Sequence, residues 1–296
     1  MAQYMDLPAI QARLRQTGAK WQASVTSLSA LSPQEKQVRL GAVPPPGTPT
    51  LQEREKAGST KFAAAKAQAK TRVTTYPVSL DLRDVDGNNY ITPIKDQGPC
   101  GSCVAFGTTA TIEGTLQYQL GDPNLQSDLS EAQLFYCIAA SQDCTCETGW
   151  WPDPALNAYQ NSGIVDENCF PYTAGDQPCN LCPDWQNRVT KIIGWHTLSS
   201  TDDMKTWLST KGPLCTCFSV YDDFFSYTSG VYTPVSTNYM GGHCIAVIGY
   251  DDNNECWICK NSWGTNWGEN GFFQIAYGQC GIDQEMWAVE GIAAAV

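Results

Sequence analysis

A cysteine directly before a predicted long helix has the clearest chemical potential in this chain. Cys103 ends the segment 97–103, which reads QGPCGSC, and residues 104–119 are predicted to form a helix of about four turns. A thiol attacks a carbonyl carbon only as the thiolate, and the free N–H groups at a helix N-terminus lower the pKa of a thiol. The amide of Gln97 can donate to an oxyanion, which is usually the largest electrostatic contribution in acyl transfer.

A thiolate nucleophile needs a base, and the chain has two histidines. His243 precedes the apolar run 244–250 and is expected at the mouth of a strand. Asn261 can orient an imidazole without burying a negative charge, and the nearby indole of Trp263 can exclude water. His196 lies among strand-like apolar residues, so we interpret it as structural. A cysteine, a histidine and an amide in this order predict nucleophilic catalysis by a thiolate.

Plainer interpretations of these residues also exist. A single cysteine before a helix is usually a core residue or half of a disulfide, so the case for Cys103 depends on Gln97, His243 and Asn261 occurring together. Closely spaced cysteines also raise the alternative of a structural zinc site. Three pairs have such spacings: Cys144 and Cys146, Cys179 and Cys182, and Cys256 and Cys259. The last pair lies on a predicted strand, where residues three apart face opposite sides and cannot bind one metal together. We expect no metal and no other cofactor.

Charge is divided unevenly along the 296 residues. Residues 1–76, which we call the leader, contain 11 Lys and Arg against 4 Asp and Glu, whereas the remaining body contains 7 against 26. The acidic body argues against a nucleic-acid partner, and no stretch approaches the roughly 20 apolar residues that span a membrane. A basic leader on an acidic body favours an intramolecular clamp. The alternative is a solvated, unstructured tail, because the leader has few apolar residues.

Cysteine usage bears on the cellular location. All 14 cysteines lie between Cys100 and Cys280, a density typical of proteins in oxidising compartments. Residues 1–6 contain neither a basic nor an apolar region, so no signal peptide is visible. On balance we expect a secreted, periplasmic or vacuolar/lysosomal-type location.

The leader is predicted to form short helices separated by breakers. Asp6 can cap a helix that stops at Gly18. Capping boxes begin at Ser32 and Thr50, and we expect the first of these helices to close at Gly41. The second opens a Lys- and Ala-rich stretch with few apolar anchors, which would be marginal on its own.

The body shows helices first and strands later. Besides residues 104–119, residues 130–137 are predicted to be helical with Ser130 as the N-cap. The order of the elements predicts an α+β fold with two lobes. The predicted strands are residues 189–195, 214–220, 244–250, 256–260 and 271–275.

The segments around Cys103, His243 and Asn261 resemble the papain/cathepsin family of cysteine peptidases in residue type, order and spacing. The resemblance extends over about residues 80–289. It implies a papain-like two-lobed fold, with a helical lobe at about 87–187 and an antiparallel β-barrel-like lobe at about 77–86 and 188–289. Residues 1–76 would be an inhibitory propeptide of a short, bacterial type, and residues 77–296 the peptidase domain.

The resemblance also implies roles for individual residues. Cys103 would be the nucleophile, His243 its imidazolium partner and Asn261 the orienting residue. Gln97 and the Cys103 N–H would form the oxyanion hole. Trp263 would shield the site and border the substrate.

The resemblance places the substrate subsites as well. Thr148 and Gly149 correspond to a glycine pair whose backbone pairs with an extended substrate, although Thr148 replaces the first glycine. Trp151 and Gly242 would line the second subsite, with Glu285 at its base in an arrangement close to that of cathepsin B. The alternative is that Glu285 is one more exposed carboxylate of an acidic protein.

Disulfide pairings follow from the same resemblance. Cys100 would pair with Cys146. Cys137 would pair with Cys179, with Cys182 as the alternative partner.

The predicted activity is that of a papain-like cysteine endopeptidase, made as a zymogen, that hydrolyses peptide bonds through a thioester acyl-enzyme. We expect a monomer whose partners are protein or peptide substrates and its own leader. One alternative is an amidase or transglutaminase with the same Cys-His-Asn set, and another is a non-catalytic binding protein on this fold. A disulfide-rich structural protein would not need Gln97, His243 and Asn261 together.

Overall fold

The computed structural model describes residues 4–58 and 75–294, and it confirms an α+β fold with two lobes. Its helices are α1 (Leu7–Thr17), α2 (Pro33–Gln37), α3 (51–58), α4 (Cys103–Leu120), α5 (Pro152–Asn161) and α6 (Thr201–Thr210). Its strands are β1 (Trp21–Ala23), β2 (Ser79–Asp81), β3 (Ile164–Val165), β4 (Val189–Ile192), β5 (Trp195–Leu198), β6 (Leu214–Tyr221), β7 (Tyr227–Tyr232), β8 (Tyr239–Asp251), β9 (Cys256–Lys260), β10 (Phe272–Ala276), β11 (Met286–Val289) and β12 (Ile292–Ala294).

Most strands join one curved sheet in the order β1-β7-β10-β9-β8-β6-β11-β5, and β2 also pairs with β8. Strand β8 is the longest and pairs antiparallel with β6 and β9. His243 therefore lies inside β8, opposite Phe218, and not at the mouth of a strand as expected. Gly241 and Gly242 both lie within the β6–β8 ladder, so the strand begins before them, at Tyr239.

The helical lobe is built around α4. Fourteen of its residues are buried, so the helix is enclosed on nearly all sides and has no solvent face of any width. Gly121 ends the helix in the left-handed conformation, with φ of 64°. The predicted helix after Ser130 is present, with wide π-type turns at Gln133–Ala139 and the Ser130 hydroxyl accepting the Gln133 N–H at 2.9 Å.

A second, three-stranded sheet runs in the order β12-β4-β3. The single strand expected at 189–195 is in fact two, since the chain turns at Gly194 and β5 joins the large sheet instead. The short sequences of β4 and β5, VTKI and WHTL, do not reveal such a change of partner. No helix in the described ranges is both long enough and apolar enough to cross a bilayer.

The described part of the leader is folded on the body and is not an unstructured tail. Asp6 caps α1, Gly18 ends it with φ of 67°, and the capping boxes at Ser32 and Thr50 are both formed. However, α2 ends at Gln37, and Gly41 continues as extended chain into the body. Much of the Lys- and Ala-rich stretch lies outside the described residues.

Three disulfides hold the helical lobe. Cys100 is bonded to Cys146 and Cys137 to Cys179, which are the pairs that the resemblance implies. Cys182, the alternative partner of Cys137, is bonded to Cys169. The Cys100–Cys146 bridge ties the loop before α4 to the loop before α5.

We predict that the bridges differ in their contribution to stability. Their sequence separations are 46 residues for Cys100–Cys146 and 13 for Cys169–Cys182. Chain entropy gives about 4 and about 3 kcal/mol respectively. Replacing Cys100 and Cys146 together by serine should lower the free energy of unfolding, measured in urea, by about 1 kcal/mol more than the same change at Cys169 and Cys182. The reverse order would contradict the chain-entropy argument.

Candidate active site

The catalytic candidates meet where α4 of one lobe faces β8 of the other. Cys103 is the first residue of α4, and the backbone N–H groups of Val104, Cys244 and Gly41 point towards its sulfur. Since Cys244 directly follows His243, the fold brings the cysteine and the histidine together across the two lobes. Both side chains are buried under the leader.

His243 is held by a hydrogen bond of 2.7 Å between its Nε2 and Asn261 Oδ1. The same oxygen accepts the backbone N–H of Ser262 at 2.8 Å, which fixes the amide. The Trp263 ring lies 4.6 Å from the imidazole, centroid to centroid, and is itself buried. Among the described residues no hydrogen bond with good geometry satisfies His243 Nδ1, so this nitrogen is available for proton exchange.

Both polar atoms of the Gln97 side-chain amide are hydrogen-bonded. Its Nε2 donates to the carbonyl oxygen of Arg39 at 3.0 Å and to that of Cys100 at 2.7 Å. Its Oε1 accepts the hydroxyl of Ser262 at 2.7 Å. A leader carbonyl thus occupies the position in which a substrate oxyanion would meet the Gln97 amide.

Burial favours the uncharged forms of Cys103 and His243. It raises the pKa of the Cys103 thiol to about 12, although the surrounding backbone N–H groups oppose this. It lowers the pKa of His243 to about 4, with the contact to Asn261 and the nearby Arg39 carbonyl acting in the opposite direction. Both shifts disfavour a thiolate–imidazolium pair in the closed state.

Leader residues cross the cleft as an extended strand. Trp150 N–H donates to the Gly41 oxygen at 2.8 Å, and Val43 N–H donates to the Trp150 oxygen at 3.0 Å, in a parallel bridge. On the opposite wall, Ala42 N–H donates to the Gly242 oxygen at 3.1 Å. The leader thus uses the backbone groups of both walls that an extended peptide would use.

Glycine is needed where the leader passes Cys103. A Cβ on Gly41 would lie 1.8 Å from the carbonyl oxygen of Gly101, and one on Gly149 would lie 2.3 Å from the Gly41 oxygen. No side chain would fit at position 41. The glycine there allows the leader backbone to lie against the body and does not end α2.

A leader arginine fills the predicted second subsite. Arg54 Nη1 lies 2.8 Å from Glu285 Oε2, and its guanidinium stacks 5.0 Å over the Trp151 ring. Gly242 faces the same leader helix, α3, since a Cβ there would be 2.2 Å from the Leu51 side chain. Thr148 is different: it is exposed, and its hydroxyl accepts the Thr145 N–H within its own turn.

Sequence reasoning missed three participants, namely Arg54, Trp150 and Ser262. The contact between Arg54 and Glu285 joins residues 231 apart, and no local pattern reveals such a pair. Ser262 had a usable signal, because it directly follows Asn261.

Comparisons with known proteins show the family to which the chain belongs. A family model described as papain family cysteine protease matches residues 76–289. Pro-cathepsin H of Mus musculus is 33% identical over 227 residues, which cover 74% of this chain and 67% of that protein. Zingipain-2 of Zingiber officinale is 35% identical over 217 residues, which cover 70% of this chain and 93% of that protein.

Solved structures of precursors are similar over nearly the whole chain. Procathepsin L2 proteinase from the larval midgut of Tenebrio molitor superposes with a TM-score of 0.75 at 28% identity, covering 96% of this chain and 88% of that one. Procathepsin B S9 from Trypanosoma congolense gives a TM-score of 0.74 at 23% identity, covering 96% and 97%, which shows likeness of fold.

Proposed function

Since this chain belongs to the papain family of cysteine proteases, we propose that Cys103 is the nucleophile of a cysteine endopeptidase made as a zymogen. His243 is its proton acceptor and donor, and Asn261 orients the imidazole. The observation that carries this assignment is the 2.7 Å bond from Asn261 to His243 Nε2, which leaves Nδ1 for the cysteine across the lobe boundary.

The reaction proceeds through a covalent acyl-enzyme. Once the leader has left, the proton of Cys103 passes to His243, and the thiolate at the N-terminus of α4 attacks the substrate carbonyl carbon. The oxyanion accepts hydrogen bonds from Gln97 Nε2 and the Cys103 N–H. His243 gives its proton to the leaving amine, and the thioester is then hydrolysed by a water molecule that His243 deprotonates.

The leader supports the zymogen interpretation in two ways. Its Arg39 carbonyl takes the hydrogen bond of Gln97, and its burial of Cys103 and His243 favours their uncharged forms. We expect both effects to weaken when the leader is removed.

The assignment can be tested with a peptidyl thiol-alkylating reagent. A specific protease site inserted within residues 59–74 allows the leader to be cut away from protein that has folded as the full chain. We expect one equivalent of label at Cys103 after cutting and almost none before, together with hydrolysis of a fluorogenic peptide. Labelling without hydrolysis, or acyl transfer only to an added amine, would instead favour the non-catalytic or transglutaminase alternatives.

We further propose that Glu285 gives the second subsite a preference for Arg. Arg54 stands in for this substrate side chain, since its guanidinium pairs with Glu285 and stacks on Trp151. A partly buried charged pair contributes about 1.5–3 kcal/mol, so Glu285→Ala should lower kcat/KM for Arg at this position roughly ten- to a hundredfold. Substrates with Phe or Leu should change little.

Glu285→Gln is the matched control, because it keeps the shape of the side chain and removes its charge. It should lose most of the preference for Arg. An equal loss on Arg and Phe substrates in both variants would mean that Glu285 is structural.

The disulfides and the leader bear on the location and the partners of the protein. Three disulfides in one lobe favour an oxidising compartment, so we propose a secreted, periplasmic or vacuolar/lysosomal-type location. The partners proposed are protein or peptide substrates and the leader itself, with the enzyme acting as a monomer.

A further inference from the structure

The leader covers an aromatic surface beside the cleft as well as the cleft itself. We call this surface the aromatic edge; it consists of Phe225, Tyr227, Tyr232 and the outer backbone of β7. The ring of Trp21 packs on Tyr227 and Tyr232 with centroid separations of 6.0 and 5.1 Å. Its indole N–H donates to the Thr233 carbonyl oxygen at 2.9 Å, and the residue is only 4% exposed.

Strand β1 of the leader adds to β7 in antiparallel orientation. Val231 N–H donates to the Lys20 oxygen at 3.1 Å, and Ser24 N–H donates to the Ser226 oxygen at 3.0 Å. These are main-chain contacts, so they select an extended backbone and not a particular sequence. The chemical selectivity of the aromatic edge comes from the place that the Trp21 side chain occupies.

Removing the leader uncovers the aromatic rings and the edge of β7 at once. The apolar leader residues Ile10, Leu14, Trp21 and Leu28 belong to one buried cluster with Phe225, Tyr227 and Tyr232 of the body. Without the leader, the ring faces of Tyr227 and Tyr232 that Trp21 covers would form an apolar patch next to an unpaired strand edge. Such patches mark interaction sites, and such edges accept an added strand.

The aromatic edge is connected to the active site through successive ring contacts. Tyr232 packs on Phe224 at 4.8 Å, Phe224 on Trp263 at 5.6 Å, and Trp263 on His243 at 4.6 Å between centroids. The leader occupies both places simultaneously, with Trp21 at the aromatic edge and Gly41 at Cys103. One polypeptide can therefore engage both.

We propose that, once the leader has been removed, the aromatic edge is an exosite for protein substrates. It takes an extended segment that carries a tryptophan, by strand addition to β7, while another part of the same substrate lies in the cleft. This inference rests on the proposed function, because the bound protein is a substrate only if the cleft cleaves it.

Binding is tested on leader-free Cys103→Ala protein, prepared by folding the full chain, cutting it at the inserted site and separating the leader. The probe is a fluorescent peptide with the sequence of residues 19–26, and its anisotropy reports binding. We expect saturable binding with a Kd below about 1 mM. A Trp21→Ala peptide should bind at least about tenfold more weakly, because a buried tryptophan is a typical hot spot.

A matched pair of glycine variants tests the site on the protein. A Cβ on Gly230 would lie 2.4 Å from the Lys20 oxygen, so Gly230→Ala should block the added strand and weaken peptide binding. Gly87 has nearly the same φ, 81° against 86°, and a Cβ on it would have no atom within 4 Å. Gly87→Ala therefore carries the backbone strain without the obstruction, and it should bind the peptide normally.

The functional arm uses protein with Cys103 intact. Gly230→Ala should raise KM for an unfolded, tryptophan-containing protein about tenfold and leave hydrolysis of a short fluorogenic peptide unchanged. Equal binding of the Trp21→Ala peptide, or identical behaviour of the two glycine variants, would overturn the exosite. Dimers of leader-free protein that the peptide dissociates would assign the surface to a second copy and overturn the substrate role. Peptide binding without any peptidase activity would contradict the proposed function and not the surface.

Discussion

Replacing Cys103 with alanine is expected to lower kcat/KM for a fluorogenic peptide by at least about three orders of magnitude, after the leader has been cut away. The change removes only the sulfur that forms the acyl-enzyme. The site is fully buried in the zymogen, and alanine fits the first position of α4. The melting temperature of the uncut protein should therefore stay close to that of the wild type.

The partners of Cys103 should show a graded loss. His243→Ala removes the proton carrier and should cost about 10²–10⁴-fold in kcat. Asn261→Ala only frees the ring to rotate, so a smaller loss, up to about a hundredfold, is expected. Activity of Cys103→Ala within tenfold of the wild type would refute the assignment. A larger loss at Asn261 than at His243 would contradict the division of roles.

Local signals predicted those parts of the structure that local interactions determine. The leader helix α1 begins after Asp6 and ends at Gly18, as expected, because capping geometry depends on a few neighbouring residues. Strand β9 likewise matches the expected 256–260, since it is an apolar run bounded by turn residues.

Contacts between distant segments could not be predicted in the same way. Gly41 looked like a helix terminator, yet its role is set by Gly101, with which it is in close contact. The pairing of β4 with β3 and of β5 with β11 depends on the twist of two sheets, which no single run encodes. The catalytic candidates could be proposed because each residue type has its own chemistry. Arg54, in contrast, gains a role only through its contact with Glu285.

The leader's contacts predict how acid should activate the zymogen. The pKa of His243 is about 4 under the leader, whereas a solvated histidine has a pKa near 6.5. A proton therefore binds the open state more tightly than the closed one. The preference for the closed state is fully present above about pH 6.5 and is lost progressively as the pH falls towards 4, by about 3 kcal/mol in total, or roughly a hundredfold in leader affinity.

Ion pairs between leader and body add to this effect. Glu285 holds Arg54, and Asp222 attracts Lys36 while accepting the Met5 N–H at 2.9 Å. Protonating these carboxylates removes the attraction, whereas the leader keeps its Lys and Arg charges throughout. The clamp hypothesis thus acquires named contacts, although pairs near the surface are individually weak.

The experiment measures the dissociation constant of a labelled leader from cut Cys103→Ala protein between pH 4 and pH 7. Affinity should fall steeply as the pH is lowered. In a Cys103→Ala/His243→Gln variant the part due to histidine is absent, so the fall should be about a hundredfold smaller, and what remains belongs to the carboxylates. An unchanged pH dependence in this variant would show that burial of His243 does not drive release. Equal peptide hydrolysis by uncut and cut wild-type protein at neutral pH would show, more simply, that the leader does not inhibit.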